Sequence, residues 1–247
     1  MSNLRHPHAL LIALTSMIAL SLPHAAPASD SMRWSVPPFE ASYAVKIGVA
    51  RANTTITLTA LEDGRYAVTS TTQAKGVARW FKKGEVYERT VFRFVDGDVL
   101  AESLERRDTL SPIDRNVSIT YSPDEGTAVV VYDGETSTAR IPRNASNPLL
   151  MQITLMHAMA TAQVPTHYDV LDYAGMQRFD VRVGTEATVR TTDGKRTAIP
   201  TDLSNVAEQT STRIWATQDS DWLALVVEAR KEDDIKAVLR LTEITRP

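Results

Sequence analysis

The sequence predicts a mainly β protein, a curled antiparallel sheet closed as a half-barrel or barrel with one central helix packed on its concave face. Three observations carry this reading. Period-two alternation of apolar and polar residues recurs along the chain. Asp-Gly pairs, at Asp63-Gly64, Asp96-Gly97, Asp133-Gly134 and Asp193-Gly194, separate alternating runs and favour two-residue hairpins, because both residues tolerate the positive φ of the turn that matches strand twist. The segment from Asn147 to Pro165 departs from the pattern and reads as helix.

The first residues form an export leader. Arg5 and three histidines flank the uncharged apolar run Ala9 to Leu22, and Ala26-Pro27-Ala28 supplies small residues at the positions a signal peptidase reads, so cleavage is expected after Ala28. The run is short for a membrane span, which needs about twenty residues. The chain holds no cysteine, which excludes a lipoprotein acylation site and any disulfide. Export without disulfides points to a bacterial periplasm. Residues 29–247 are expected to form a single β-rich domain. With 27 Lys+Arg against 30 Asp+Glu the charge is close to balance, which speaks against a nucleic-acid partner.

Alternation is clearest where Phe39, Ala41, Tyr43, Val45, Ile47 and Val49 share one face against Glu40, Ser42 and Lys46. Such a pattern marks a half-buried strand. Similar runs follow at Ile56 to Ala60, Tyr66 to Ser70, Val117 to Tyr121, Phe179 to Val183, Leu223 to Ala229 and Ala237 to Leu241. About eleven to thirteen strands are expected, more than one open twisted sheet carries comfortably, hence the curl.

The helix is fixed by its ends. Asn147 can cap it, Pro148 suits its first position, and Val164-Pro165 stops it, which gives a helix from Pro148 to Gln163. At 100° per residue, Thr154, His157 and Thr161 fall on one narrow stripe and Gln152 and Gln163 on another, while nearly everything else is apolar. A helix apolar on two sides is covered on two sides. It fits as a plug or lid over the hollow of a curled sheet, or as an ordinary core layer with no space beneath it.

Four stretches, FEASYAVKIG, NPLLMQITLMHAMA, VRTTDGKRTAIPTDLS and STRIWATQDSDWLALVVEARK, resemble in that order the bacterial periplasmic family called domain of unknown function 3108. The resemblance covers most of the chain beyond the leader. It implies a fold like the half-open barrel with helical lid of periplasmic lipoprotein carriers, and with that fold an apolar cavity.

Candidate chemistry is sparse. Met151, Met156 and Met159 lie on the helix, three of the chain's seven methionines, and with Leu155 they are the candidate lining of a ligand cavity. Unbranched thioethers adapt to varied ligands, and they also fill irregular cores. Trp80, Phe81, Lys82 and Lys83 resemble an interfacial anchor, rings at headgroup depth and ammonium groups on phosphates; alternatively the rings pack inward and the lysines are solvated. In Glu105 to Arg115, Arg106 or Arg107 could bind a phosphate or carboxylate, against the plainer reading of a solvated strand end.

Enzymatic signatures are lacking. Beyond the leader the histidines are His157 and His167, on different elements and without HExxH, GxSxG or cysteine. His157 reads as a hydrogen-bonded structural residue. Asp219 with Asp221 and Asp233 with Asp234 fall at turns, where aspartate is expected. No catalytic residue, metal or cofactor is expected. The function this composes is a non-enzymatic periplasmic protein that binds or carries a hydrophobic ligand, a lipid or acyl chain, in a cavity of several hundred Å³ between sheet and helix. The alternative is an envelope scaffold or assembly factor that binds a protein partner through a sheet edge or loops. The membrane surface is a further possible partner.

Overall fold

The computed structural model describes residues 34–76, 84–111, 115–232 and 234–247. The expected leader and the segment Trp80, Phe81, Lys82 and Lys83 lie outside the described residues.

Strand formation follows the alternation. The strands are β1 (Phe39–Ile47), β2 (Ala50–Ala60), β3 (Arg65–Ala74), β4 (Glu85–Val95), β5 (Asp98–Asp108), β6 (Arg115–Ser122), β7 (Thr127–Tyr132) and β8 (Glu135–Arg140). The helix α1 (Pro148–Ala160) follows. Then come β9 (His167–Asp172), β10 (Gly175–Val183), β11 (Ala187–Arg190), β12 (Lys195–Asn205), β13 (Thr210–Ala216), β14 (Ala224–Lys231) and β15 (Asp234–Thr245). In β1 the inward residues Phe39, Ala41, Tyr43 and Val45 are buried while Glu40, Ala44 and Lys46 are exposed.

All fifteen strands join one sheet in the order β8-β7-β6-β5-β4-β3-β2-β1-β15-β14-β13-β12-β10-β9, with β11 paired to β12. Two meanders therefore meet where β1 pairs antiparallel with β15. Each Asp-Gly pair joins antiparallel neighbours, as expected, but the expected two-residue turn forms only at Asp96-Gly97 and Asp133-Gly134, whereas Asp63-Gly64 and Asp193-Gly194 end longer connections, 61–64 and 191–194. At Asp63-Gly64, Asp96-Gly97 and Asp133-Gly134 both residues have positive φ.

The strand count exceeds the eleven to thirteen expected. β8 is missed by alternation because it is an edge strand whose residues face water almost throughout. β11 is only four residues long, too short for a period to show.

The helix connects β8 to β9, the strands at opposite ends of the sheet, and so must cross the hollow between them. Those ends come together. Ser146, just before α1, bridges Val170 of β9, and Tyr132 at the end of β7 stacks on Tyr173 after β9 with ring centroids 5.0 Å apart. The sheet is thus curled and barrel-like, as the large number of twisted strands requires.

The helix ends earlier than Gln163. Ala162 takes φ 55°, and the N–H groups of Ala162 and Gln163 donate back to Met159 and Ala158. This is a Schellman-type stop with alanine where glycine is usual. The main core gathers Phe39, Tyr43, Leu58, Phe92 and Ile119 around one side of the helix. The first half of β14, Ala224 to Val227, is buried on both faces, because β11 lays Val189 over Leu225 and Val226 on the side away from the helix. A strand covered twice reads as a continuous apolar run, and Ala224-Leu225-Val226-Val227 is one.

Candidate functional site

The helix organises the interior. Asn147 is fully buried; its Oδ1 accepts from the N–H of Leu150 at 2.9 Å and from the hydroxyl of Thr90 at 3.2 Å. One side chain thereby caps α1 and ties it to β4. Leu149, Leu150, Ile153 and Met156 enter the main core, while Met151 and Leu155 pack with Tyr168, Val170, Leu203 and Ile214 in a second cluster. Both apolar sides of the helix are covered, as the sequence requires.

Between these clusters runs a narrow slot. Leu155, Met156 and Met159 line it from the helix, Phe39, Tyr43, Ile56 and Ile214 from the sheet, and Trp222 and Leu223 from the connection between β13 and β14. Its walls are almost wholly apolar. The enclosed volume is about 20 Å³, room for one water. The slot is thus far smaller than the several hundred Å³ expected, because large side chains from three directions fill the space beside the helix. Met151, expected among the lining residues with Leu155, Met156 and Met159, does not border this slot. Its side chain lies in the second cluster, outside the slot.

At the slot's rim the backbone is strained. Asp221 and Trp222 are consecutive non-glycine residues at positive φ, 51° and 61°. Such conformations cost of order 1–3 kcal/mol each and persist only where surroundings enforce them. Arg246 pairs with the Asp221 carboxylate, and the Tyr43 hydroxyl donates to the carbonyl of Ala224 at 3.0 Å. Burial pushes the Tyr43 hydroxyl far above the usual phenol range.

The helix's polar stripe faces a separate hollow of about 230 Å³. Thr154, His157 and Thr161 line it together with Ser146, His167 and Asp169. The fold thus brings both histidines to one hollow, although they belong to different elements. Its groups are already engaged. The Thr154 and Thr161 hydroxyls donate to helix carbonyls, Leu150 at 3.0 Å and His157 at 2.9 Å. Asp169 accepts two bonds from Arg178, at 2.9 and 3.2 Å.

His157 has a defined tautomer. The backbone N–H of Ser35 lies 3.3 Å from Nδ1, and the Ser35 hydroxyl 2.8 Å from the same atom. A backbone N–H can only donate, so Nδ1 accepts and the neutral ring carries its proton on Nε2. Burial holds the imidazole below its ordinary pKa. Among the described residues no group of three or more His, Asp or Glu could hold a metal ion.

Arg106 is half-buried, its side chain 36% exposed. Its guanidinium bridges Glu88 at 3.2 Å and Asp108 at 3.8 Å, so it is committed to protein carboxylates, while Arg107 is exposed. Burial raises the Glu88 carboxyl, with Arg106 offsetting part of the rise. Burial also pushes Asp108 upward, but hydrogen bonds from Ser111 and Leu110 together with Arg106 outweigh it and hold the group low. Glu88 was legible in principle, since two-residue spacing puts it on one face with Thr90 and Phe92.

The family described as Protein of unknown function (DUF3108) matches this chain over residues 34–241. The chain belongs to this family. No curated protein matches the sequence. Among solved structures, this DUF3108 chain is similar to a beta-barrel-like protein of the domain of unknown function DUF1849 from Brucella abortus, with a TM-score of 0.54 and 10% identity, over 84% of this chain and 97% of that one. At that identity the likeness concerns the fold alone. The Pseudomonas aeruginosa MucA/MucB complex also matches, with a TM-score of 0.38 and 12% identity, over 89% of this chain and 55% of that one, too distant to define a shared fold.

Proposed function

We propose that this DUF3108 chain is a non-enzymatic periplasmic binding protein that takes an apolar chain, such as an acyl group, into the slot beside α1. The observation that supports it is the slot's lining: Leu155, Met156 and Met159 from the helix meet Phe39, Ile56 and Ile214 from the sheet with hardly a polar atom between them. At about 20 Å³ the slot is closed, so binding requires the two methionines to swing aside. Burying about eight methylenes contributes roughly 6 kcal/mol at ~0.8 kcal/mol each, which exceeds about 0.5–1.5 kcal/mol for each side chain held in a new position. The test is titration with N-phenyl-1-naphthylamine, an apolar dye that fluoresces when desolvated. Saturable uptake, abolished by Met159→Trp, supports the reading; no uptake by the native chain rejects it.

A second reading has its own support, the closed slot together with the exposed edge of β8, whose residues Glu135 to Thr138 face solvent. Such an edge can recruit an extended segment of a partner protein by strand addition. Native mass spectrometry of protein purified from its host separates the two. A carrier retains lipid mass, whereas a scaffold retains a polypeptide.

A further inference from the structure

The strand register collects the hairpin tips into two rims, and one rim has an uncommon surface. Lys46 lies opposite Arg51, Ile47 opposite Ala237, Lys231 opposite Asp234, and Asn205 opposite Thr210, which itself pairs with Lys231. The tips β1–β2, β14–β15 and β12–β13 therefore lie along the same edge of the molecule. Each presents an apolar side chain to solvent: Ile47 is 53% and Val49 101% exposed on the first, Ile235 50% on the second and Val206 76% on the third.

The basic residues beside them form a row. Lys46 on β1 faces Arg51 on β2 directly, and Lys75 follows just past the end of β3, its N–H donating to the Arg51 carbonyl at 2.8 Å. All three are exposed. Like charges directly opposite in a sheet destabilise it, and among the described residues none of the three has an acidic partner within ion-pair distance. The sequence of the β14–β15 turn also carries Glu232, Asp233 and Asp234, the last paired with Lys236 at 3.0 Å, and the β12–β13 tip carries the exposed Glu208, so the positive stretch belongs to β1–β3.

We propose that this rim docks on the surface of an anionic phospholipid bilayer, with Ile47, Val49 and Ile235 entering the headgroup layer and Lys46, Arg51 and Lys75 contacting phosphates. Charge complementarity selects the sign of the partner. The spacing of the apolar groups selects its physical state: they protrude singly from separate tips, and a fluid interface accepts isolated projections that a protein surface would have to match with separate pockets. The dock is independent of the slot and does not require the slot to bind anything.

The experiment is sedimentation of the mature chain, purified from its host, with vesicles of phosphatidylglycerol and phosphatidylethanolamine or of phosphatidylcholine alone. Binding to the anionic vesicles, weakened by salt, is expected. Lys46→Glu and Arg51→Glu should each lower it about five-fold or more. Val49→Asp should lower it further, with the thermal transition by circular dichroism unchanged because the side chain is fully exposed. Equal binding to both vesicle types by the native chain overturns the proposal whatever the variants do. So does undiminished binding by folded Val49→Asp and Arg51→Glu chains.

Discussion

The imidazole of His157 lies flat on the indole of Trp34, ring centroids 5.0 Å apart and planes 19° from parallel. Trp34 also meets Tyr66 and Phe92 at 5.4 Å and Phe94 at 5.7 Å. The segment that leads into β1 is therefore clasped between the second half of α1 and the strands β3 and β4. Ser35 completes the clasp through its bonds to Nδ1 of His157. The helix is held at its start by Asn147 and near its end by this aromatic group.

Stability should rise with pH across the imidazole range. Burial lowers the His157 pKa in the folded protein, against about 6.5 in the unfolded chain. The unfolded state therefore binds more protons as pH falls below that value. The stability contributed by the neutral ring is present above about pH 6.5 and lost as pH drops through the folded pKa. Urea denaturation between about pH 5 and 7.5 measures it. In His157→Gln, which keeps an acceptor for Ser35 without a titrating ring, the rise in midpoint should shrink; an unchanged profile would show that the ring does not titrate in this window.

Trp34→Ala should cost about 3 kcal/mol, since a large aromatic contact is lost and the surrounding rings collapse only partly. The effect should be shared with the helix. In a double-mutant cycle, Trp34→Ala and His157→Ala together should destabilise by less than the sum of the two, because the stacking contact is removed once in either variant. Strict additivity, measured by denaturant midpoints, would mean that the stack contributes nothing.

Much of this arrangement could be read from residue pattern. Phe39 to Val45 alternate because one face meets the core, and Asn147-Pro148 marks the helix start because capping and proline geometry are local. The Asp-Gly hairpins are local too. What escaped is non-local or nearly featureless. Nothing near β1 announces β15 as its neighbour, since their register is set by closure of the whole sheet. β8 shows no alternation because both its faces are wet. The methionines could equally fill a core or line a cavity, and only the volume beside Met156 distinguishes these. His157 and His167 converge because β9 returns beside the helix, a placement that ten residues of sequence separation do not reveal.

Asn147→Ala should destabilise the fold by about 2 kcal/mol, at the upper end for a helix cap, because the change also strands the buried hydroxyl of Thr90. Thr90 is itself fully buried. Adding Thr90→Val to Asn147→Ala removes that stranded donor and should recover part of the loss. Thermal denaturation of the two variants side by side checks this, and a double variant weaker than Asn147→Ala alone would contradict the pairing.

Met156→Ala and Met151→Ala form the sharpest pair. The two residues are almost equally buried, 5% and 6% exposed, so each substitution should cost a similar amount, about 2–4 kcal/mol. Their positions differ. Met156 borders the slot, whereas Met151 packs between α1 and β9 in the second cluster. Truncating Met156 should enlarge an apolar space that stays dry and accepts apolar molecules, so uptake of N-phenyl-1-naphthylamine should tighten several-fold. Truncating Met151 should leave uptake unchanged at the same loss of stability. If both variants gain uptake equally, the dye is reporting a loosened core; if neither does, the space beside Met156 is structural packing and the slot is not the binding site.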